Sequence, residues 1–124
     1  MSKLGDCYEV HGKFMSKQGP GTDFVLVHAE CIGQGQIEGL PFGHAFLLNK
    51  ATDEVHDLSN GRNIVLPKAV YFAVGKIEWP YWVDNGELVE RSIKVYEYEW
   101  QEMMENLLTT RVWGPWDLET EHGR

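Results

Sequence analysis

PFGHAFLLNKATDEVHDLSNG, residues 41–61, is the stretch on which the fold turns. Two runs in it, HAFLLNK and EVHDLS, have strand length, and only Ala51, Thr52 and Asp53 separate them, so it reads as a β-hairpin. Pairing Asn49 with Glu54 closes the hairpin and fixes the rest of its register. His44 then faces Ser59, and Phe46 faces Asp57. Side chains alternate between the two faces of a strand, so His44 and Asp57 share a face as diagonal neighbours, and His56 points the other way. Diagonal neighbours lie roughly 7–8 Å apart at their backbones, within reach of an imidazole and a carboxylate. A slip of one residue would separate them.

A histidine held by an aspartate is the base half of a nucleophilic site, and the nucleophile has to come from elsewhere in the chain. Upstream, DCYEVHGKFMSK reads as a helix, with Asp6 as N-cap and Glu9 three residues later in a near capping box. Cys7, Val10, His11 and Phe14 recur on one face, Gly12 weakens the helix, and QGPGTD ends it. A cysteine in the first helical turn meets the positive end of the helix dipole and unbonded backbone N–H groups, which favour the thiolate and can also hold an oxyanion. Cys7 as nucleophile, His44 as base and Asp57 as the residue orienting His44 form a Cys-His-Asp triad. His11, one turn beyond Cys7, is a rival base that nothing obvious orients, so it reads as a packing or locally hydrogen-bonded residue. Taken singly, Cys7 reads as an apolar core residue, His44 as a structural histidine and Asp57 as a turn or cap residue; it is their combination that points to chemistry.

DC opening a helix, followed by GHAFLL and VHDLSNG on successive strands, resembles the papain-like superfamily in minimal form, as in NlpC-type cell-wall peptidases and transglutaminase-like proteins. The resemblance covers roughly residues 5–60. It implies that Cys7, His44 and Asp57 match nucleophile, base and orienting residue, and that the core is papain-like or transglutaminase-like. It implies thiol-dependent hydrolysis or acyl transfer at an amide, isopeptide or thioester bond of a peptide or protein substrate. Asn60 and Gln36 are candidates for an oxyanion-hole side chain. Tyr8, which stands where the cell-wall enzymes commonly carry serine, joins them as a candidate substrate contact.

Beyond the hairpin, FVLVHAECI (24–32) is apolar on both faces and reads as a central strand. GQGQIEGLPFG (33–43) is a loop without phosphate-binding glycine spacing. Pro67 marks the first turn of a helix in PKAVYFAV, which Gly75 closes. Asn85-Gly86 marks a second hairpin, and SIKVYEY a strand with Ile93 and Val95 on one face and Tyr96 and Tyr98 on the other. EWQEMMENLLTT is an amphipathic helix burying Trp100, Met103, Met104, Leu107 and Leu108, and RVWGPW is expected to tuck back over the sheet. The aromatics around Trp79, Tyr81 and Trp82 read as core and rim, or as a groove in which Trp79 and Trp82 would touch substrate. The whole is a single α+β domain over residues 1–124, an antiparallel sheet with an N-terminal helix carrying Cys7 and a C-terminal helix.

With 124 residues and a formal charge of −8, the chain can bury a core and shows no basic stripe, so nucleic acid is not an expected partner. No apolar run approaches the roughly 20 residues of a membrane helix, no signal sequence is recognisable, and a cytoplasmic setting is expected. There the two cysteines, Cys7 and Cys31, are expected as free thiols. A metal site from His28, Cys31, His44 and His56 is disfavoured, because residues 28 and 31 face opposite sides of one strand and 44 and 56 opposite sides of the hairpin. No metal or organic cofactor is implied. The second functional reading is a non-enzymatic, acidic binding or inhibitory protein, of phage accessory type, that engages a protein partner through its aromatic-rimmed surface.

Overall fold

A computed structural model describes residues 6–33 and 39–118. Helix α1 (Cys7–Ser16) is followed by strands β1 (Phe24–Ile32), β2 (Pro41–Asn49) and β3 (Glu54–Asp57) and a 3-10 turn at Ser59–Gly61. Strand β4 (Ile64–Pro67) leads into α2 (Lys68–Val74), β5 (Tyr81–Asp84) and β6 (Glu87–Glu90), then β7 (Val95–Tyr98) and α3 (Trp100–Thr110). The main sheet is antiparallel, in the order β4-β3-β2-β1-β7, and β5 and β6 form a separate two-stranded sheet. The architecture is α+β. No helix among the described residues is long and apolar enough to cross a membrane.

β1 is central because both of its faces are apolar, and each packs against a different layer. Val25, Val27 and Ala29 meet Phe46, Leu48 and Val55 on one face, covered by Phe72 of α2 and by Ile77. Leu26, Leu47 and Tyr98 on the other face are covered by Met15 of α1 and Met103 of α3, with Trp116 packed alongside. RVWGPW returns over this second face, where Trp113 lies against Gly12 and Trp116 meets Tyr98 edge-to-face. The layers are those that two-faced burial demands.

The β2–β3 ladder runs Asn49↔Glu54, Leu48↔Val55, Leu47↔His56, the register that places His44 and Asp57 on one face. The ladder then stops, and the two strands fork. Two rungs further in register, beyond the end of the ladder, stand Ala45 and Leu58. Helix α1 fills the fork: Cys7 Sγ accepts the Ala45 N–H at 3.4 Å, and His11 Nε2 accepts the Leu58 N–H at 2.8 Å. Cys7 and His11 lie one helical turn apart on the same face, so two side chains of one helix satisfy the backbone donors of two strands. The fork is how a helix packed on one side of the sheet delivers a thiol to the other.

Several local expectations are corrected. Strand β2 begins at Pro41, inside the stretch read as loop, because Ile32↔Pro41 and Cys31↔Phe42 extend its pairing with β1. Ile64–Pro67 is a strand that sequence reading overlooked; Pro67 ends β4 on the sheet edge and serves as N-cap of α2 rather than as its first turn. Asp6 makes no side-chain cap to α1, because its Oδ1 accepts the Asn60 N–H at 3.1 Å instead. A capping box does form at α3, between Glu99 and Glu102. Leu108 is 67% exposed: the buried stripe of α3 centres on Met103, and Leu108 lies off it.

Candidate active site

Asp57 is the anchor. Its Oδ1 accepts the Ser59 N–H at 2.9 Å and the Ser59 hydroxyl at 2.6 Å, and its Oδ2 accepts the Tyr71 hydroxyl of α2 at 2.5 Å. His44 Nε2–H donates to the same Oδ2 at 3.0 Å. Burial alone would raise the Asp57 pKa, but the hydrogen bond and charge of His44, with those of Ser59 and Tyr71, hold the carboxylate well below its usual range. Burial likewise pushes Tyr71 up, and the Asp57 charge pushes it further, so it remains a hydroxyl donor.

The His44 ring lies between Phe42 and Phe46, with centroids 6.0 and 6.2 Å away, and its side chain is 17% exposed. Burial works against its protonated form, yet the hydrogen bond to Asp57 and that to Cys7, with the charges of both, outweigh it and raise its pKa to about 9. Nε2 is committed to Asp57, so Nδ1 is the nitrogen left for the sulfur. The imidazole is therefore held by a carboxylate through Nε2 and keeps its proton at neutral pH.

Cys7 is the first residue of α1, where no side chain caps the helix and the opening N–H groups can serve an anion. It is only 4% exposed, but the surface it keeps lies on a cavity of about 570 Å³ that it shares with His44, Asp57 and Asn60. The Ala45 N–H aimed at the sulfur is a further donor that stabilises negative charge there. Cys31 lines the same cavity, and burial pushes its thiol up to about 12, so it stays protonated.

His11 is excluded as a rival base by its bonding. Nδ1–H donates to the Cys7 carbonyl at 2.7 Å and Nε2 accepts from Leu58, which uses both nitrogens and fixes the neutral tautomer. Burial lowers its pKa, against a smaller upward pull from the Cys7 carbonyl and Asp57.

The candidate substrate contacts fare differently. Asn60 lines the cavity in the left-handed conformation (φ 56°), with its Oδ1 buried and unpartnered. Tyr8 does not line it: one residue along a helix turns the side chain by about 100°, and Tyr8 packs edge-on against His28 on the far face. Trp79 lines a separate cavity with Phe72 and Lys76, the Lys76 ammonium lying 4.8 Å above its ring, and Trp82 pairs with Val89 in the second hairpin. Aromatic composition could not reveal that this hairpin forms its own sheet. Gln36 lies outside the described residues. Sequence reading missed Ser59 and Tyr71 as the groups holding Asp57; the Asp-x-Ser spacing was a signal for the first, whereas Tyr71 arrives only through the packing of α2.

Among the described residues, no group of three or more His, Cys, Asp or Glu side chains is placed to hold a metal ion. Neither a protein-family model nor a curated protein nor a solved structure matches the chain.

Proposed function

We propose that the protein is a thiol-dependent hydrolase or acyltransferase with a papain-like or transglutaminase-like core, acting on an amide, isopeptide or thioester carbonyl through Cys7, His44 and Asp57. The observation that carries this reading is the His44 imidazole bonded to Asp57 at 3.0 Å on the wall of a cavity that Cys7 also lines, with Asp57 and Cys7 both favouring its charge. The sulfur attacks the carbonyl carbon, and the opening N–H groups of α1 receive the developing oxyanion, with the Asn60 amide on the adjoining wall as a further polar group. His44 gives its proton to the leaving nitrogen or sulfur as the tetrahedral intermediate collapses to a thioester on Cys7. Water or an amine, deprotonated by His44, then attacks the thioester and restores the thiol. Asp57 holds the ring in place and stabilises the imidazolium without taking its proton.

The test is intact-mass analysis after incubation with a peptide thioester. A transient acyl adduct on Cys7 is expected, absent in Cys7→Ala and formed about 10²–10⁴-fold more slowly in His44→Ala. Adduct formation indifferent to His44 would remove the reading. The second reading, an acidic binding protein, draws support from the β5–β6 hairpin, whose Leu88 is 62% exposed.

A further inference from the structure

The walls of the Cys7 cavity divide by chemistry. Its polar groups come from Cys7, His44 and Asp57 with the Ser59 and Tyr71 hydroxyls that hold Asp57, and from Asp6, Asn60 and the exposed Arg62 at one side; the facing wall is largely hydrocarbon. Parity explains the arrangement. Phe42 lies two residues before His44 on β2 and so shares its face. Ile64 of β4 is paired directly with Asp57, and Leu66 of β4 with Val55, so both side chains stand on that face as well. Val74, near the C-terminal end of α2, and Ile32, at the end of β1, add to the lining.

Phe42, Ile64 and Leu66 are only half-buried, and Val74 is 53% exposed, although the core beneath them is filled by Phe46, Val55 and Phe72. This hydrocarbon is thus not consumed by the fold. It is continuous with the nucleophile and concave, with the size and mixed lining of a small-molecule or side-chain pocket. Water against it is displaced favourably only by an apolar group.

From this wall we infer that the group transferred to Cys7 is an apolar acyl group: an aliphatic acyl chain, or a peptide acyl group whose residue at the reacting carbonyl carries a large apolar side chain. This rests on the thiol acyl-transfer reading and specifies its substrate class. The acyl tail lies along Phe42, Ile64, Leu66 and Val74 while its carbonyl carbon stands at the sulfur, and a short or charged acyl group leaves the wall wet. Each additional buried methylene is worth about a fourfold gain in rate until the wall is covered.

The test uses p-nitrophenyl acetate and p-nitrophenyl hexanoate on the full chain in a Cys31→Ala background, with adducts located by mass spectrometry. The Cys7 sulfur bonds to the ester carbonyl carbon, the carbon–oxygen bond to p-nitrophenolate breaks, and the thiol proton is left on His44 or released to solvent. Rates are divided by those of free cysteine with the same ester, and iodoacetamide serves as a reagent with no acyl group. The hexanoate is expected to acylate Cys7 at least tenfold faster than the acetate. Val74→Asp, on the exposed side of α2 where folding tolerates the change, and Leu66→Ser should each cut that preference at least threefold, with every rate taken relative to iodoacetamide alkylation of the same variant. Rapid acylation of Cys7 with equal rates for the two esters, or with acetate favoured, overturns the apolar-acyl inference and leaves the thiol reading standing. If neither ester nor iodoacetamide reacts faster with Cys7 than with free cysteine, the thiol reading falls, and the inference with it.

Discussion

His28 and His44 sit one rung apart on the β1–β2 ladder, in the pairs His28↔Ala45 and Ala29↔His44, and therefore on opposite faces of the sheet. Both rings are largely shielded from water, and their environments drive them in opposite directions. His44 meets a carboxylate and a thiol, and its pKa rises to about 9. His28 meets aromatic rings, with centroids of Tyr8 at 4.9 Å and of Tyr98 and Trp116 at 5.0 Å, and neither of its nitrogens has a hydrogen-bond partner. Burial lowers its pKa to about 3, with the Asp117 charge pulling weakly the other way and His11 adding a small downward push. Depth does not decide how a histidine titrates; what the ring touches does.

The contrast breaks most completely if Asp57 is removed. In Asp57→Ala, burial acts on His44 with only Cys7 left to oppose it, and the ring's pKa, read by NMR, should fall from about 9 toward or below the ordinary value of about 6.5. Acylation of Cys7 should fall about 10²–10⁴-fold at neutral pH. An unchanged His44 titration in that variant would show that the carboxylate is not what holds the proton.

Stability against pH sharpens the comparison, because the two histidines enter with opposite signs. His44, raised in the fold, contributes stability that is fully present below pH 6.5 and is lost as pH rises to about 9. His28, lowered in the fold, leaves the unfolded chain binding more protons between pH 6.5 and about 3, so stability falls as pH drops through that window. Each contributes up to roughly a tenfold change in the folding equilibrium per pH unit within its window. His44→Ala should flatten the alkaline side of a denaturation profile. His28→Leu should flatten the acid side in part, since buried His11 acts there with the same sign. Parallel profiles for wild type and both variants would contradict the assignment.

A smaller effect is expected where α1 meets the aromatic face. A Cβ on Gly12 would lie 2.5 Å from Trp113 Cε3, so Gly12→Ala should cost about 1–3 kcal/mol by thermal melting despite the better helix propensity of alanine. A stabilised variant would show that Trp113 yields freely. The least effect comes from Tyr71→Phe, which leaves Asp57 its bonds to His44 and Ser59; Cys7 acylation should slow about tenfold or less, without loss of fold.

These two faces also mark what the sequence could reveal. The hairpin register was legible because a short turn, residues 50–53, and a period of two leave few alternatives, and that register alone brings His44 and Asp57 together. A capping residue and an apolar stripe were enough to place Cys7 at the start of α1. Contacts made at a distance were not legible. Asp6 bonds Asn60 instead of its own helix, Tyr71 reaches Asp57 from α2, and Ala45 donates to the sulfur only because the strands fork. Strand β4 was hidden by Pro67, which serves an edge strand's end and a helix start equally well. Nothing in the local pattern of CYEVH shows that Tyr8 turns toward His28 while Cys7 turns toward His44.

The central claim is that Cys7 and His44 act as one reactive pair, and alkylation of Cys7 by iodoacetamide between pH 6 and 9 tests it most directly. The measurement is made in Cys31→Ala, with and without His44→Ala, and the adduct is located by mass spectrometry. The pairing predicts rapid alkylation that persists at pH 6.5 and slows at least tenfold there when His44 is removed, the two profiles converging as the pH rises. Cys7 that is inert, or that reacts at the same rate at pH 6.5 in both proteins, would contradict it.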